Sequence, residues 1–149
     1  MSIMVATGKA ATQGILFRDA AAIERLCEID TLIVDKTGTL TEGKPAFVTA
    51  VAATGYTPDE VLRLAASLDQ GSEHPLADAI VSAARAKGLE LVKPADFESG
   101  SGIGVRGTIE GRRLVLGNTA LMQQEGVATD ALKADGERLR GDGASVMHL

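Results

Sequence analysis

Asp35, Lys36, Thr37 and Thr39 stand together in the run DKTGTLT at residues 35–41, and their side chains suit phosphoryl chemistry. A carboxylate can attack phosphorus and hold the group as an aspartyl-phosphate. Lys36 brings a positive charge to phosphate oxygens, and the Thr37 and Thr39 hydroxyls are hydrogen-bond donors. Gly38 lets the backbone approach a ligand closely, and the loop N–H groups can converge on an anion. A plain turn explains Asp35 and Gly38, which are common turn residues. It does not explain a lysine set among three threonines.

A second constellation is spread along the chain. Asp69, Glu73 and His74 fall in the run DQGSEHPL at residues 69–76. Gly100, Gly102, Ile103 and Gly104 belong to the glycine-rich run GSGIG, and Gly117-Asn118 follows a short apolar stretch. His74 precedes Pro75 at a helix start, where its ring can stack on a base and free N–H groups favour anions. Each feature also has an ordinary reading: a capping histidine, a strand bend, a helix-capping asparagine and solvated acids.

The elements that must position these groups are partly legible. Asp19 caps a short helix running through Cys27, with Ile23 and Leu26 on one face. Thr31–Val34 reads as a short apolar strand of the kind buried on both faces of a parallel sheet, which would put Asp35 at its carboxyl end, where open α/β sheets hold ligands. Residues 42–45 read as a polar hinge and Ala46–Ala53 as a strand. Thr57, Pro58 and Glu60 form a capping-box start, followed by Val61, Leu64, Ala65 and Leu68 at helical spacing. A second helix starts at Pro75 and stops at Gly88. Phe97–Ser99, Val105–Ile109 and Arg113–Leu116 are short strands, the last two joined by a turn at Glu110-Gly111. Gly117-Asn118 opens a helix to about Gln124. A helix from Asp130 to Arg140 contains Gly136, at about 1 kcal/mol against Ala. Gly141-Asp142-Gly143 reads as a turn and Ser145–Leu149 as a strand in which His148 is an ordinary member. Cys27 reads as a packed core residue.

Composition sets outer limits. The 149 residues match one domain in size, and 45% are hydrophobic, enough for a core. The net charge of −5 argues against a nucleic-acid partner. One cysteine excludes an internal disulfide and a multi-cysteine zinc site. No run approaches the ~18 consecutive apolar residues of a membrane span.

The run DKTGTLT resembles the phosphorylation motif of P-type ATPases, which belong to the haloacid dehalogenase-like superfamily. Ser72-Glu73-His74-Pro75-Leu76 is similar to a signature of the heavy-metal subclass, the copper-transporter-like pumps. Gly100–Gly104 resembles its glycine-rich nucleotide loop, and Gly117-Asn118 its later Gly-Asn pair. The resemblance covers nearly the whole chain. It implies that Asp35 is the phosphorylated nucleophile, assisted by Lys36, Thr37 and Thr39, and that magnesium is held by Asp35 and the Thr37 carbonyl. It implies that ATP is bound by His74, Gly100, Gly102, Ile103, Gly117 and Asn118, with Asp69 and Glu73 nearby. Pumps of this type usually carry Glu where this chain has Asp69, one methylene shorter. The superfamily's phosphatases usually carry a second Asp two positions after the nucleophile; here that position is Thr37, which cannot perform carboxylate acid–base work.

The fold class expected from this resemblance is α+β: an antiparallel sheet flanked by helices, preceded by the first α/β segment of a haloacid dehalogenase-like phosphorylation domain. Residues 1–16 are expected to be the end of a membrane helix or stalk, 17–44 the start of the phosphorylation domain, and 45–149 a nucleotide-binding domain truncated at its C-terminal end. The chain is thus expected to be a cytoplasmic piece of a plasma- or inner-membrane pump. Its partners are ATP, the remaining membrane, actuator and phosphorylation segments, and the transported heavy-metal cation. The rival readings are a stand-alone phosphatase of the same superfamily and a non-catalytic nucleotide-binding module.

Overall fold

The computed structural model describes residues 3–26, 28–100 and 102–149. The chain divides into two compact units, Met1–Gly43 and Lys44–Leu149, and each is taken by itself.

The first unit contains helix α1 (Ile3–Ala11) and helix α2 (Ala20–Leu26). The sequence-predicted cap of α2 is present: the Ala22 N–H donates to Asp19 Oδ1 at 2.7 Å. Cys27, read as a core residue, lies outside the described residues. No described helix is long and apolar enough to cross a membrane. The strand expected at Thr31–Val34 is absent; Leu32 and Ile33 are 70% and 93% exposed. A parallel strand draws its hydrogen bonds and its burial from neighbouring strands. No described residue pairs with this stretch, so apolar character alone does not make it a strand.

The second unit is a three-stranded antiparallel sheet packed against helices, in agreement with the expected α+β class. Strands β1 (Ala95–Gly100), β2 (Gly104–Ile109) and β3 (Arg112–Gly117) lie in sequence order. Glu110 and Gly111 join β2 to β3 as a two-residue hairpin, both with positive φ (52° and 76°), as a twist-matched turn requires. The β1–β2 register shifts between Ala95 and Glu98, where Asp96 also has positive φ; this bulge has no signal in the sequence. Along β2, buried Val105, Gly107 and Ile109 alternate with half-buried residues, the period-2 mark of a sheet with one covered face.

Helix α3 (Pro58–Asp69) starts as predicted, with the Thr57 hydroxyl accepting from the Glu60 N–H. The Glu60 carboxylate, however, lies 3.7 Å from Arg112. Helix α4 (Pro75–Ala86) ends before Gly88, whose φ is +70°. Helix α5 spans Thr119–Gln124, and a 3₁₀ turn at Asp130–Leu132 leads into α6 (Lys133–Gly141). The expected single helix from Asp130 therefore begins as a tighter turn.

Two apolar clusters hold the unit together. Leu62, Ala66, Val81 and Ala84 join α3 to α4, with Phe47 and Ala50 against them. Ala65, Leu68, Val105 and Leu116 join α3 to the sheet. Leu68 is fully buried, and truncating such a side chain to Ala costs about 2–5 kcal/mol. Ala46–Ala53, expected as a strand, has no regular secondary structure. Its Phe47 and Ala50 are held by side-chain packing, with no ladder partner among the described residues. The expected strand at Ser145–Leu149 is reduced to one antiparallel bridge, between Gly117 and His148.

Candidate functional site

The chemistry-bearing residues fall into two groups, one in each unit. In the first unit, residues 35–41 form a compact turn. The Lys36 carbonyl accepts from the Leu40 and Thr41 N–H groups at 3.0 and 3.1 Å and from the Thr41 hydroxyl at 3.3 Å. Thr37 bridges Thr41, and Gly38 supplies the positive φ (+79°) that closes the turn. Asp35, Lys36, Thr37 and Thr39 are all exposed. The turn leaves Asp35 open to solvent. Magnesium finds little protein support here: among the described residues, no three Asp, Glu, His or Cys side chains gather to hold a metal. Asp35 and the Thr37 carbonyl offer two oxygens. Magnesium characteristically completes its shell with phosphates and water.

In the second unit, the Gly100–Gly104 loop and Gly117-Asn118 meet at one end of the sheet. β1 ends at Gly100, β2 begins at Gly104 and β3 ends at Gly117, so the three glycines share an edge. The intervening loop is tied by two backbone bonds: Ile103 N–H to the Gly100 carbonyl (3.3 Å) and Asn118 N–H to the Ile103 carbonyl (3.1 Å). The backbones approach so closely that a Cβ on Gly117 would sit 2.3 Å from the Ile103 carbonyl oxygen. A Cβ on Gly104 would sit 2.2 Å from the Leu116 carbonyl oxygen. Gly102 differs: it has φ +75° and open space around it, so it stands at the exposed crest of the loop.

The α3–α4 connection reaches the same sheet at Gly71, where a Cβ would sit 3.0 Å from the Phe97 ring of β1. It carries Asp69, Glu73 and His74. Both Glu73 and His74 are exposed. The ordinary reading of His74 is realised: it is the N-cap of α4, and its Nδ1 accepts from the Leu76 N–H at 3.2 Å. That bond leaves Nε2 and the ring face uncommitted. Asn118 is likewise the N-cap of α5, its Oδ1 accepting from the Leu121 N–H at 3.0 Å. Asp69 behaves differently. It is 3% exposed, and its Oδ2 has no hydrogen-bond partner. Burial pushes its carboxyl up to about 6, against a smaller opposing pull from His74.

Sequence reasoning missed one neighbour of this edge. Thr119 Oγ1 lies 3.4 Å from His148 Nε2 and 3.3 Å from Arg140 Nη2. Burial and the adjacent Arg140 charge lower the His148 pKa. Only the fold brings these residues together, since α6 and the terminal segment are distant from Thr119 in sequence.

A cavity lies elsewhere in this unit. It is an apolar groove of about 600 Å³ beside residues Phe47, Ala50, Leu62, Ile80, Leu116 and Met147, and no nominated nucleotide residue lines it. Ligand sites combine apolar walls with a few convergent polar groups; this groove is walled mainly by aliphatic side chains.

A haloacid dehalogenase-like hydrolase family model matches residues 29–149. The chain is 53% identical over its whole length to a copper-transporting P-type ATPase of Rhizobium leguminosarum bv. viciae. It spans 18% of that protein, about a fifth of the length typical of the curated relatives it matches. Among solved structures, a zinc-transporting PIB-type ATPase in the E2.Pi state superposes with a TM-score of 0.73 at 33% identity, covering 93% of this chain and 22% of that one. The catalytic domain of a CPx-ATPase, described for its conformational changes upon nucleotide binding, superposes at 0.53 with 35% identity, covering 74% and 43%.

Proposed function

Because this chain belongs to the haloacid dehalogenase-like hydrolase family, we propose that it is the segment of a heavy-metal-exporting P-type ATPase that carries the phosphorylated aspartate and binds ATP. The observation that carries this reading is the run DKTGTLT, presented as an exposed turn with the Asp35 carboxylate free to attack. In the proposed reaction Asp35 takes the γ-phosphoryl group of ATP, and ADP leaves. Lys36 and the Thr37 and Thr39 hydroxyls offset the charge on the transferring oxygens, as phosphoryl transfer depends largely on positioning and electrostatics. Asp35 and the Thr37 carbonyl would contribute to holding magnesium, which supplies charge neutralisation at the phosphates.

The Lys44–Leu149 unit is the proposed nucleotide-binding lobe. Adenine lies against His74 and Ile103, the Gly100–Gly104 backbone runs beside the sugar and phosphates, and Gly117-Asn118 closes the edge. Asp69 and Glu73 flank the base. Thr37 at the position of the phosphatases' second Asp disfavours the stand-alone phosphatase. The parent pump would add membrane, actuator and further phosphorylation segments and would act from the cytoplasmic side of the membrane. The copper relative and the zinc-transporting structure leave copper-like and zinc-like cations as the candidate cargo.

The test is metal-stimulated phosphoenzyme formation in the full-length parent with γ-labelled ATP. Acid-stable, hydroxylamine-sensitive label that Asp35→Asn abolishes supports the proposal. Label that persists in Asp35→Asn, or steady p-nitrophenyl phosphate turnover by the chain alone, overturns it.

A further inference from the structure

Three side chains from separate parts of the chain meet beside the end of β3: Thr119 at the start of α5, Arg140 near the end of α6, and His148 in the terminal segment. Arg140 Nη1 is held by Glu137 at 3.0 Å. Its Nη2 lies 3.3 Å from Thr119 Oγ1 and 3.4 Å from His148 Nε2, and Thr119 Oγ1 is 3.4 Å from the same Nε2. A guanidinium only donates. The His148 Nε2 therefore accepts, which makes the ring neutral with its proton on Nδ1. The Thr119 hydroxyl accepts from Arg140 and donates to that Nε2. One lone pair thus ties the terminal segment to α5 and α6.

The rest of the attachment is slight. The His148 N–H donates to the Gly117 carbonyl at 2.8 Å and the Gly117 N–H to the His148 carbonyl at 2.9 Å, a single bridge and not a ladder. Met147 packs on the cluster that contains Leu116. Val146 comes near α6 at Gly136, where a Cβ would sit 3.9 Å from its Cγ1. The other charges nearby have commitments of their own. On α6, Arg138 pairs with Asp135 and Asp142. On β3, Arg112 pairs with Glu60 and Arg113 with Glu125. Helix α5 carries no charge. On its own segment, the other charge in the 149-residue chain is the α-carboxylate of Leu149.

We propose that the terminal segment is held on the end of β3 by a pH-sensitive latch, in which neutral His148 is the shared acceptor of Arg140 and Thr119 and protonation of its Nε2 releases the segment. A proton from solvent occupies the lone pair, both side-chain bonds to Nε2 are lost, and an imidazolium is left against a guanidinium. Docked, His148 is held below its ordinary value of 6.5, by burial first and by the Arg140 charge second. Released, it regains that value. A pKa depressed in the docked state makes docking full above about 6.5 and weaker as pH falls below it, by up to tenfold per pH unit until the docked ring itself titrates. Gly117 precedes Asn118, whose N–H binds the Ile103 carbonyl at 3.1 Å. Release therefore frees the neighbour of a residue that ties the glycine-rich loop. The latch rests on packing and does not depend on the nucleotide reading.

The experiment is nuclear magnetic resonance of the 149-residue chain between pH 8 and pH 5. The chain holds two histidines, and His148→Gln assigns their ring signals while keeping an acceptor that cannot titrate. At pH 8 the His148 ring should show the Nδ1–H tautomer, and it should titrate below His74. Arg140→Gln should raise its pKa toward 6.5. Protection factors of the Gly117 and His148 amides, corrected for intrinsic exchange, should fall by up to tenfold per pH unit below 6.5 in the wild type and stay level at Gly117 in His148→Gln. Amides inside the β2–β3 ladder should keep their protection throughout, which separates release of the segment from unfolding. An Nε2–H tautomer at pH 8, a Gly117 amide unprotected at pH 8, or the same pH dependence at Gly117 in wild type and His148→Gln would each overturn the latch.

Discussion

Replacing His74 by Asn separates the capping role of its ring from the proposed role as a base platform. As N-cap of α4, the ring accepts from the Leu76 N–H through Nδ1 at 3.2 Å. As the proposed base platform, it offers its exposed face. Asn is among the strongest N-caps, whereas losing a cap to Ala costs about 1 kcal/mol. His74→Asn should therefore keep stability within about 0.5 kcal/mol. His74→Ala should lose about 1 kcal/mol, a fall in Tm of roughly 4–8 °C for a lobe of this size. Both variants remove the ring. An aromatic contact is worth about 0.5–1.5 kcal/mol beyond area burial, so ATP affinity should fall about tenfold in each, equivalent to ~1.4 kcal/mol. His74→Gln should lose binding similarly. Thermal melts report the cap and calorimetric titration with ATP reports the ring. A folded His74→Asn protein that binds ATP like the wild type would refute the platform role and leave His74 as a cap alone.

The other predictions concern three further positions or pairs. Gly104→Ala should destabilise the second unit by several kcal/mol, since a Cβ there would sit 2.2 Å from a carbonyl oxygen at φ +142°. Gly102→Val, at an open crest, should cost only about 1 kcal/mol of stability but weaken ATP binding more than His74→Asn does; urea melts and titrations of both would show it, and equal destabilisation would contradict the packing described. The 149-residue chain should accumulate no phosphoenzyme from γ-labelled ATP, because no acidic cluster for magnesium exists among its described residues; robust label that disappears in Asp35→Asn would show it to be self-sufficient. Asp69 has a folded pKa of about 6 against 3.8 for the unfolded chain, so its contribution is most favourable below 3.8 and is lost as pH rises through 6. Asp69→Asn should accordingly stabilise the protein at pH 8, by up to about 3 kcal/mol, and the gain should vanish near pH 4. Denaturant melts showing the same difference at both pH values would be inconsistent with a buried, titrating carboxyl.

Local signals carried the helices and the hairpin. Thr57-Pro58, Pro75 and Asn118 each place an acceptor or a fixed φ where a helix needs one, and the helices begin there. Glu110-Gly111 supplies the positive φ of a two-residue turn, and the strands meet around it. Thr31–Val34 and Ala46–Ala53 mark the limit of this reasoning. Apolar, β-branched runs record a tendency, but a strand exists only with a partner, and partners are set by the rest of the fold. The site divides similarly. The residue types of the candidate site are legible as motifs, because the proposed phosphate chemistry would restrict them. The caps made by His74 and Asn118 were visible as alternatives. The orphaned oxygen of Asp69 and the meeting of Thr119, Arg140 and His148 were not, since both arise from tertiary packing.

The outer edge of β3 has a consequence for how the protein behaves in concentrated solution. Apart from the bridge at His148, its backbone is unpaired among the described residues, and it borders a groove with Val48 75% exposed nearby. Such an edge is a template for a neighbouring molecule. Arg112 and Arg113 stand exposed at its start, and a second copy pairing parallel and in register across this edge would bring these like charges together. Their protection is electrostatic and weakens with ionic strength: above about 0.15 M salt the screening length falls below ~8 Å. Self-association along this edge would thus respond to salt through two guanidinium groups on its rim, each already paired with a carboxylate of the same unit.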